Sequence, residues 1–205
     1  MKRCIIIAGG DYAPIGPVGE GDFVLACDRG YAHALREGIT PDLILGDFDS
    51  FQGALPENVP VLRYPVEKDD TDTMLAVRWA AEQGFAAVRL ACGFGGRLDH
   101  LLSNVQTLEY AAQLGMEAEA EDENTLLRVL RPGFYRLPCR ADRSLSLLAL
   151  TEKVEGLTIR GAKYEAENVT LRRPTTLGQS NAFVSDAEIS FQSGILALVS
   201  CRLEV

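Results

Sequence analysis

Five times in the first hundred residues, a short run rich in apolar side chains gives way to aspartate. The run at 4–8 precedes Asp11, that at 23–27 precedes Asp28, and that at 42–45 precedes Asp47 and Asp49. The run at 59–64 precedes Asp69, Asp70 and Asp72, and that at 87–91 precedes Asp99. Such runs are too short for helices and are bounded by turn residues, so they read as strands. Helical patterns over 30–37, 71–83 and 98–114 separate them, and a sixth strand fits 116–120. This alternation predicts an open, mostly parallel α/β sheet. In such a sheet the carboxyl ends of the strands share one edge, where ligand crevices form, so the scattered aspartates are expected to converge there.

Beyond residue 121 the pattern changes. Strand-like runs at 126–130, 134–137, 144–150, 157–160, 167–171, 188–191 and 195–203 follow one another with little helical pattern between them. Pro132-Gly133, Gly161, Arg173-Pro174 and Ser193-Gly194 serve as turn signals. The expectation is an α/β domain over 1–121 followed by an antiparallel β-sandwich over 122–205.

The formal charge of −9 argues against a nucleic-acid partner, because Lys and Arg form no basic patch that could replace phosphate counterions. The five cysteines, Cys4, Cys27, Cys92, Cys139 and Cys201, are odd in number and form no C-x-x-C pair, as expected of reduced thiols in a cytoplasmic protein. The charged start Met1-Lys2-Arg3 leads into an apolar run that stops at Gly9-Gly10-Asp11, which fits a first strand better than a signal peptide. No run is long enough to span a membrane.

Asp47-Phe48-Asp49 places two carboxylates at one strand end, where each opposes the charge of the other unless a cation intervenes. A hard cation with oxygen ligands, Mg²⁺ above all, meets that demand and normally arrives with substrate phosphates. Other acids admit plainer readings. Asp69-Asp70-Thr71-Asp72 directly precedes a helical pattern and can serve as its cap, and Asp28 before Arg29-Gly30 can make a turn. Gly93-Phe94-Gly95-Gly96-Arg97-Leu98 joins a strand to a helix, a setting that lets phosphate approach the backbone but also needs glycine for geometry alone. Neither a G-x-x-x-x-G-K-[ST] loop nor a G-x-G-x-x-G turn is present. Along 98–114, Leu101, Val105 and Leu108 mark a core face, while His100, Asn104 and Thr107 share a polar face available to a ligand. His33 reads as a packing or surface residue. The residues alone leave three classes open: a Mg²⁺-dependent phosphohydrolase, a D-x-D transferase, or a non-enzymatic nucleotide-binding regulatory module.

Three motifs in order narrow the choice: Pro41-Asp42-Leu43-Ile44-Leu45-Gly46-Asp47-Phe48-Asp49-Ser50, Lys68-Asp69-Asp70-Thr71-Asp72, and Gly95-Gly96-Arg97-Leu98-Asp99-His100 with Ser103-Asn104. With Ser180-Asn181 as a fourth, weaker match, the chain resembles the thiamine pyrophosphokinase (thiamine diphosphokinase) family over nearly its whole length. The resemblance implies pyrophosphoryl transfer from ATP to the thiamine hydroxyl with release of AMP, by a homodimer whose active sites lie between subunits. It implies that Asp47, Asp49, Asp72 and Asp99 are catalytic, and that these four with Asp69 hold Mg²⁺. It places Asp28, Lys68, Gly95, Gly96 and Arg97 on the nucleotide, and Ser180, Asn181, Phe183, His100 and Asn104 on thiamine. Two departures stand out: Asp28-Arg29-Gly30 replaces the Asp-Gly-Gly of many relatives, and Phe183 lies near the place where some carry a Trp after Ser-Asn. Phe183 equally fits the core of a β domain.

Overall fold

The computed structural model describes residues 2–48 and 55–203, so Asp49 and Ser50 lie outside the described residues. The chain divides into two compact units, Met1–Glu123 and Asn124–Val205. Together they make a mixed α/β protein with extensive sheet.

The first unit runs β1 (Arg3–Ile7), β2 (Phe23–Cys27), α1 (Gly30–Arg36), β3 (Leu43–Gly46), β4 (Val61–Arg63), α2 (Asp72–Glu82), β5 (Ala87–Ala91), α3 (Leu98–Gln113) and β6 (Glu117–Glu121). Its strands lie in the order β6-β5-β1-β2-β3-β4, and every neighbouring pair is parallel. The chain fills one side of β1 first and then crosses to the other, which makes β1 and β5 the pair where the winding reverses. A crevice outside the carboxyl ends of such a pair is where ligands of open α/β sheets sit.

The nearly continuous apolar character of β1, β2 and β3 follows from burial on both faces. Ile5, Ile6, Ile7, Leu25, Ile44 and Leu45 are completely buried, each worth roughly 1.5–3 kcal/mol against exposure. Helix α1 presses closely on β1: a Cβ at Gly30 would lie 2.0 Å from the Ile7 carbonyl oxygen, so only glycine fits. Helix α2 is capped by Thr71, whose Oγ1 accepts the Met74 N–H at 3.3 Å. The capping role therefore falls to Thr71, and Asp72 begins the helix.

The second unit runs β7 (Thr125–Leu130), β8 (Gly133–Leu137), β9 (Ser144–Ala149), β10 (Lys153–Ala162), β11 (Ala166–Arg172), β12 (Asn181–Phe191) and β13 (Leu196–Cys201). Its pairings are antiparallel, in the order β11-β10-β12-β9-β13-β7, with β8 also on β12. Leu145, Leu147, Val154, Leu157, Ile189 and Leu196 head its own buried core. Two strands are longer than their apolar runs. Strand β10 continues through Gly161, where its register with β12 shifts and breaks the alternation. Strand β12 begins at Asn181, well ahead of its run at 188–191, and three successive exposed residues, Val184, Ser185 and Asp186, break the alternation that would mark a strand. Among the described residues no helix is long and apolar enough to cross a membrane.

Candidate active site

Strands β2, β3 and β5 each lead into a residue with left-handed backbone: Asp28 at φ 40°, Phe48 at 62° and Cys92 at 52°. Non-glycine residues adopt this region at a cost of order 1 kcal/mol or more, and they concentrate where sites are built. Beyond these ends opens a cavity of about 510 Å³, a size suited to a small-molecule ligand. Asp28, Asp47, Asp72, Gly95, Gly96 and Arg97 line it together with Gly9, Gly10 and Asp11 from the loop after β1.

On the acidic side, the Lys68 ammonium bridges a carboxylate just past β3 and one at the start of α2, 2.8 Å from Asp47 Oδ2 and 2.7 Å from Asp72 Oδ1. Burial works against the charge on Lys68, yet its bonds to Asp47 and Asp72 outweigh that and raise its pKa. Burial also pushes the Asp72 carboxyl above its ordinary value. Lys68 pulls it back, and the nearby charges of Asp47 and Asp28 push it up again. Asp69 is exposed, and Asp70 pairs with Arg78 at 2.9 Å on the flank of α2.

The opposite side is the turn into α3. Gly95 and Gly96 both have left-handed φ, 75° and 67°. Arg97 meets Asp99 through two bonds, Nε to Oδ1 at 3.1 Å and Nη2 to Oδ2 at 2.6 Å. Both side chains are largely exposed; this pairing raises the Arg97 pKa and lowers that of Asp99. Asp99 is thus turned to Arg97 and is absent from the cavity lining, which His100 and Asn104 join. Asn104 ties three segments together: its Oδ1 accepts from Thr73 at 3.0 Å, and its Nδ2 donates to the Gly93 carbonyl at 2.8 Å.

Thr107, on the same helical stripe as His100 and Asn104, is fully buried. Helix α3 begins exposed at the sheet edge and becomes buried in later turns, so one stripe passes from cavity to core.

The remaining expected residues belong to the second unit. Ser180 is exposed, with φ 59°, and its N–H donates to Ser146 Oγ at 3.0 Å. Asn181 is buried and closes on its own neighbourhood: Oδ1 accepts from the Tyr164 and Ala182 N–H groups, and Nδ2 donates to the Tyr164 carbonyl. Phe183 is partly buried and packs against the β core.

The cavity also draws on residues that motif reading passed over. His33 Nε2 bonds the Gly10 carbonyl at 3.0 Å, and Asp11 Oδ2 accepts the Gly96 N–H at 2.9 Å. Glycines after the first strand were the available signal for the first contact. Nothing in the sequence pairs Asp11 with a turn 85 positions away.

A divalent cation suits this donor set. Asp28, Asp47 and Asp72 bring three carboxylates to the cavity, with the Lys68 ammonium between two of them. Among the described residues no three His, Cys, Asp or Glu side chains close into a metal cage. An open, carboxylate-only arrangement fits Mg²⁺, which takes one or two carboxylates and completes its shell with water and substrate phosphates.

Acids facing a glycine turn, at the winding reversal of a parallel sheet, define an α/β enzyme that handles phosphate groups. Comparison with known proteins gives the particular case. A family model described as "Thiamin pyrophosphokinase, catalytic domain" matches residues 18–119, and one described as "Thiamin pyrophosphokinase, vitamin B1 binding domain" matches residues 136–196. The "Thiamine pyrophosphokinase" of Bacillus subtilis is 31% identical, over 97% of this chain and 98% of its own. A crystal structure of thiamine pyrophosphokinase from B. subtilis superposes with a TM-score of 0.88 at 29% identity, covering 98% of this chain and 99% of the other. One from Geobacillus thermodenitrificans gives 0.83 at 32% identity, covering 98% of each. The chain belongs to the thiamine pyrophosphokinase family, and its activity is thiamine diphosphokinase activity.

Proposed function

We propose that this protein moves the terminal pyrophosphoryl group of ATP onto the hydroxyl of thiamine, giving thiamine diphosphate and AMP. The hydroxyl oxygen forms a bond to the β-phosphorus as the bond from that phosphorus to the α,β-bridging oxygen breaks. AMP leaves with the bridging oxygen, and the hydroxyl proton passes to a carboxylate or water. The observation that carries the reading is the cavity at the β1/β5 reversal, lined by Asp28, Asp47 and Asp72 together with Gly95, Gly96 and Arg97.

In this reading Asp47 and Asp72 hold Mg²⁺ from the cavity wall, and the family resemblance adds Asp49, Asp69 and Asp99 to the acidic set, Asp69 and Asp99 from beyond the lining; Asp47, Asp49, Asp72 and Asp99 are the catalytic members. When bound, the ion offsets charge on the polyphosphate. The chain's own groups do the rest by positioning and by charge. Lys68 and Arg97 supply cations to phosphate oxygens, the Gly95-Gly96 backbone lets phosphate approach, and Asp28 sits beside the nucleotide. His100 and Asn104 serve the acceptor side, as do Ser180, Asn181 and Phe183 from the second unit. Asn181, its amide spent on Tyr164, acts by fixing the backbone beside Ser180.

The domain assignment follows: a nucleotide-binding catalytic α/β domain over 1–121, and a β-sandwich over 122–205 that binds thiamine and pairs subunits in a homodimer. The cytoplasm is the fitting compartment for five cysteines that are all free thiols.

The test is AMP formation from ATP and Mg²⁺, with and without thiamine, in wild type and Asp72→Ala. Equal AMP and thiamine diphosphate, dependent on thiamine and lost in the variant, is the expected result. ADP or phosphate released without thiamine would indicate a hydrolase, and nucleotide binding without turnover a regulatory module.

A further inference from the structure

From the geometry of the loop after β1 we infer that Asp11 is a positioning residue for the nucleotide, acting by holding the Gly95-Gly96 turn in its phosphate-facing conformation. The inference rests on the pyrophosphokinase reading for the identity of the ligand. It names a residue lying ahead of the segment matched as the catalytic domain, 18–119.

Two consecutive left-handed glycines form a turn with wide conformational freedom, and fixing one shape costs more entropy there than anywhere else in a chain. Something must hold it. Asp11 Oδ2 accepts the Gly96 N–H at 2.9 Å, and the same carboxylate abuts Gly95 so closely that a Cβ there would lie 2.3 Å from Oδ2. The turn is thus clasped at both glycines by one side chain.

The clasp is itself anchored. The Gly10 and Asp11 N–H groups donate to the Cys92 and Phe94 carbonyls at 3.0 and 3.2 Å, which ties the loop to the segment that carries the turn. Cys92 Sγ donates to the Ala13 carbonyl at 3.3 Å. From α1, His33 bonds the Gly10 carbonyl, Arg36 stacks on the Tyr12 ring with its guanidinium 3.5 Å from the centroid, and Tyr12 bonds Glu37. A carboxylate carried on a loop whose backbone is fastened from both sides is a brace, in contrast to an internal anion poised to leave when phosphate arrives. With Gly96 held, the turn presents Arg97 and the start of α3, which has no side-chain cap, to the cavity.

The two roles predict opposite signs. A brace, once removed, weakens nucleotide binding; an occupying anion, once removed, strengthens it. The experiment compares the full-length wild type with D11A and D11N, and with D11S should D11A fail to fold. Each is titrated with α,β-methylene-ATP, which binds without transfer, and assayed for KM of ATP, KM of thiamine and kcat. Expected is about a tenfold rise in analogue Kd and ATP KM for D11A, from loss of a charge-assisted bond to backbone. Thiamine KM should stay within about twofold, and D11N, whose amide oxygen still accepts the Gly96 N–H, should recover most of the loss.

Unchanged or tighter analogue binding by D11A would overturn the inference, as would a D11N defect equal to that of D11A or equal changes in both KM values. Because the analogue titration needs no turnover, a wild type that makes no thiamine-dependent AMP would sink the functional reading while leaving the Asp11 pattern readable.

Discussion

Replacing Lys68 by Met removes the one ammonium that bridges Asp47 and Asp72 while keeping a side chain of similar reach. All three partners are mostly buried, with side-chain exposures of 14% for Lys68, 13% for Asp47 and 21% for Asp72. Breaking a fully buried pair costs about 3–5 kcal/mol and an exposed one about 0–1. This site lies between those limits, so K68M should lose about 2 kcal/mol in EDTA, a fall in Tm of roughly 4–8 °C for a chain of this size.

The pH dependence has a defined sign. Burial already raises the Asp72 carboxyl, and losing Lys68 raises it further. A carboxyl whose folded value lies above its unfolded one contributes stability below the unfolded value and loses it as pH rises through the folded value. The K68M deficit should therefore be small near pH 4 and widen toward neutrality. Added Mg²⁺, bound by the folded state alone, should return more stability to K68M than to wild type, because the ion no longer competes with a resident cation. Thermal melts of both proteins at two pH values, with EDTA or Mg²⁺, give the four differences needed. A deficit that is independent of pH, or an identical Mg²⁺ increment in both proteins, would refute the reasoning.

Three further outcomes follow from the geometry. Gly30→Ala should cost about 3 kcal/mol or prevent folding, since its Cβ would meet the Ile7 carbonyl oxygen at 2.0 Å, and denaturant midpoints will show it. Asn181→Ala should destabilise by about 2 kcal/mol through two orphaned Tyr164 backbone groups, measured by chemical denaturation. Thiol labelling at pH 8 should strike exposed Cys139 first and spare Cys4, whose thiol burial pushes up to about 12, and Cys27, which burial pushes well above its ordinary value; mass spectrometry of the peptides reads the order.

The parallel unit was legible because its central strands announce themselves twice, by short runs rich in apolar residues and by the aspartate or glycine beyond them, while β6, which alternates Glu and Ala, shows the two-residue period of a strand. Helix ends were nearly as plain, since Thr71 is a strong cap. The antiparallel unit hid its longest strand because β12 is exposed at three successive residues, 184–186, which breaks the alternation of a strand. Within the cavity, residue types at strand ends could be read, but partner choice could not. That Lys68 joins Asp47 to Asp72, or that Asn104 ties Thr73 to Gly93, depends on how three loops pack. The fate of Thr107 shows the limit of helical periodicity: spacing gives the stripe, while the point at which α3 passes onto the sheet decides which part of the stripe is wet.

Every residue lining the cavity falls between Ala8 and Asn104, well inside the first compact unit, which ends at Glu123. The cavity lining is therefore inherited as one contiguous block of coding sequence. A recombination event near codon 123 would pass that lining on whole and exchange the antiparallel unit entire.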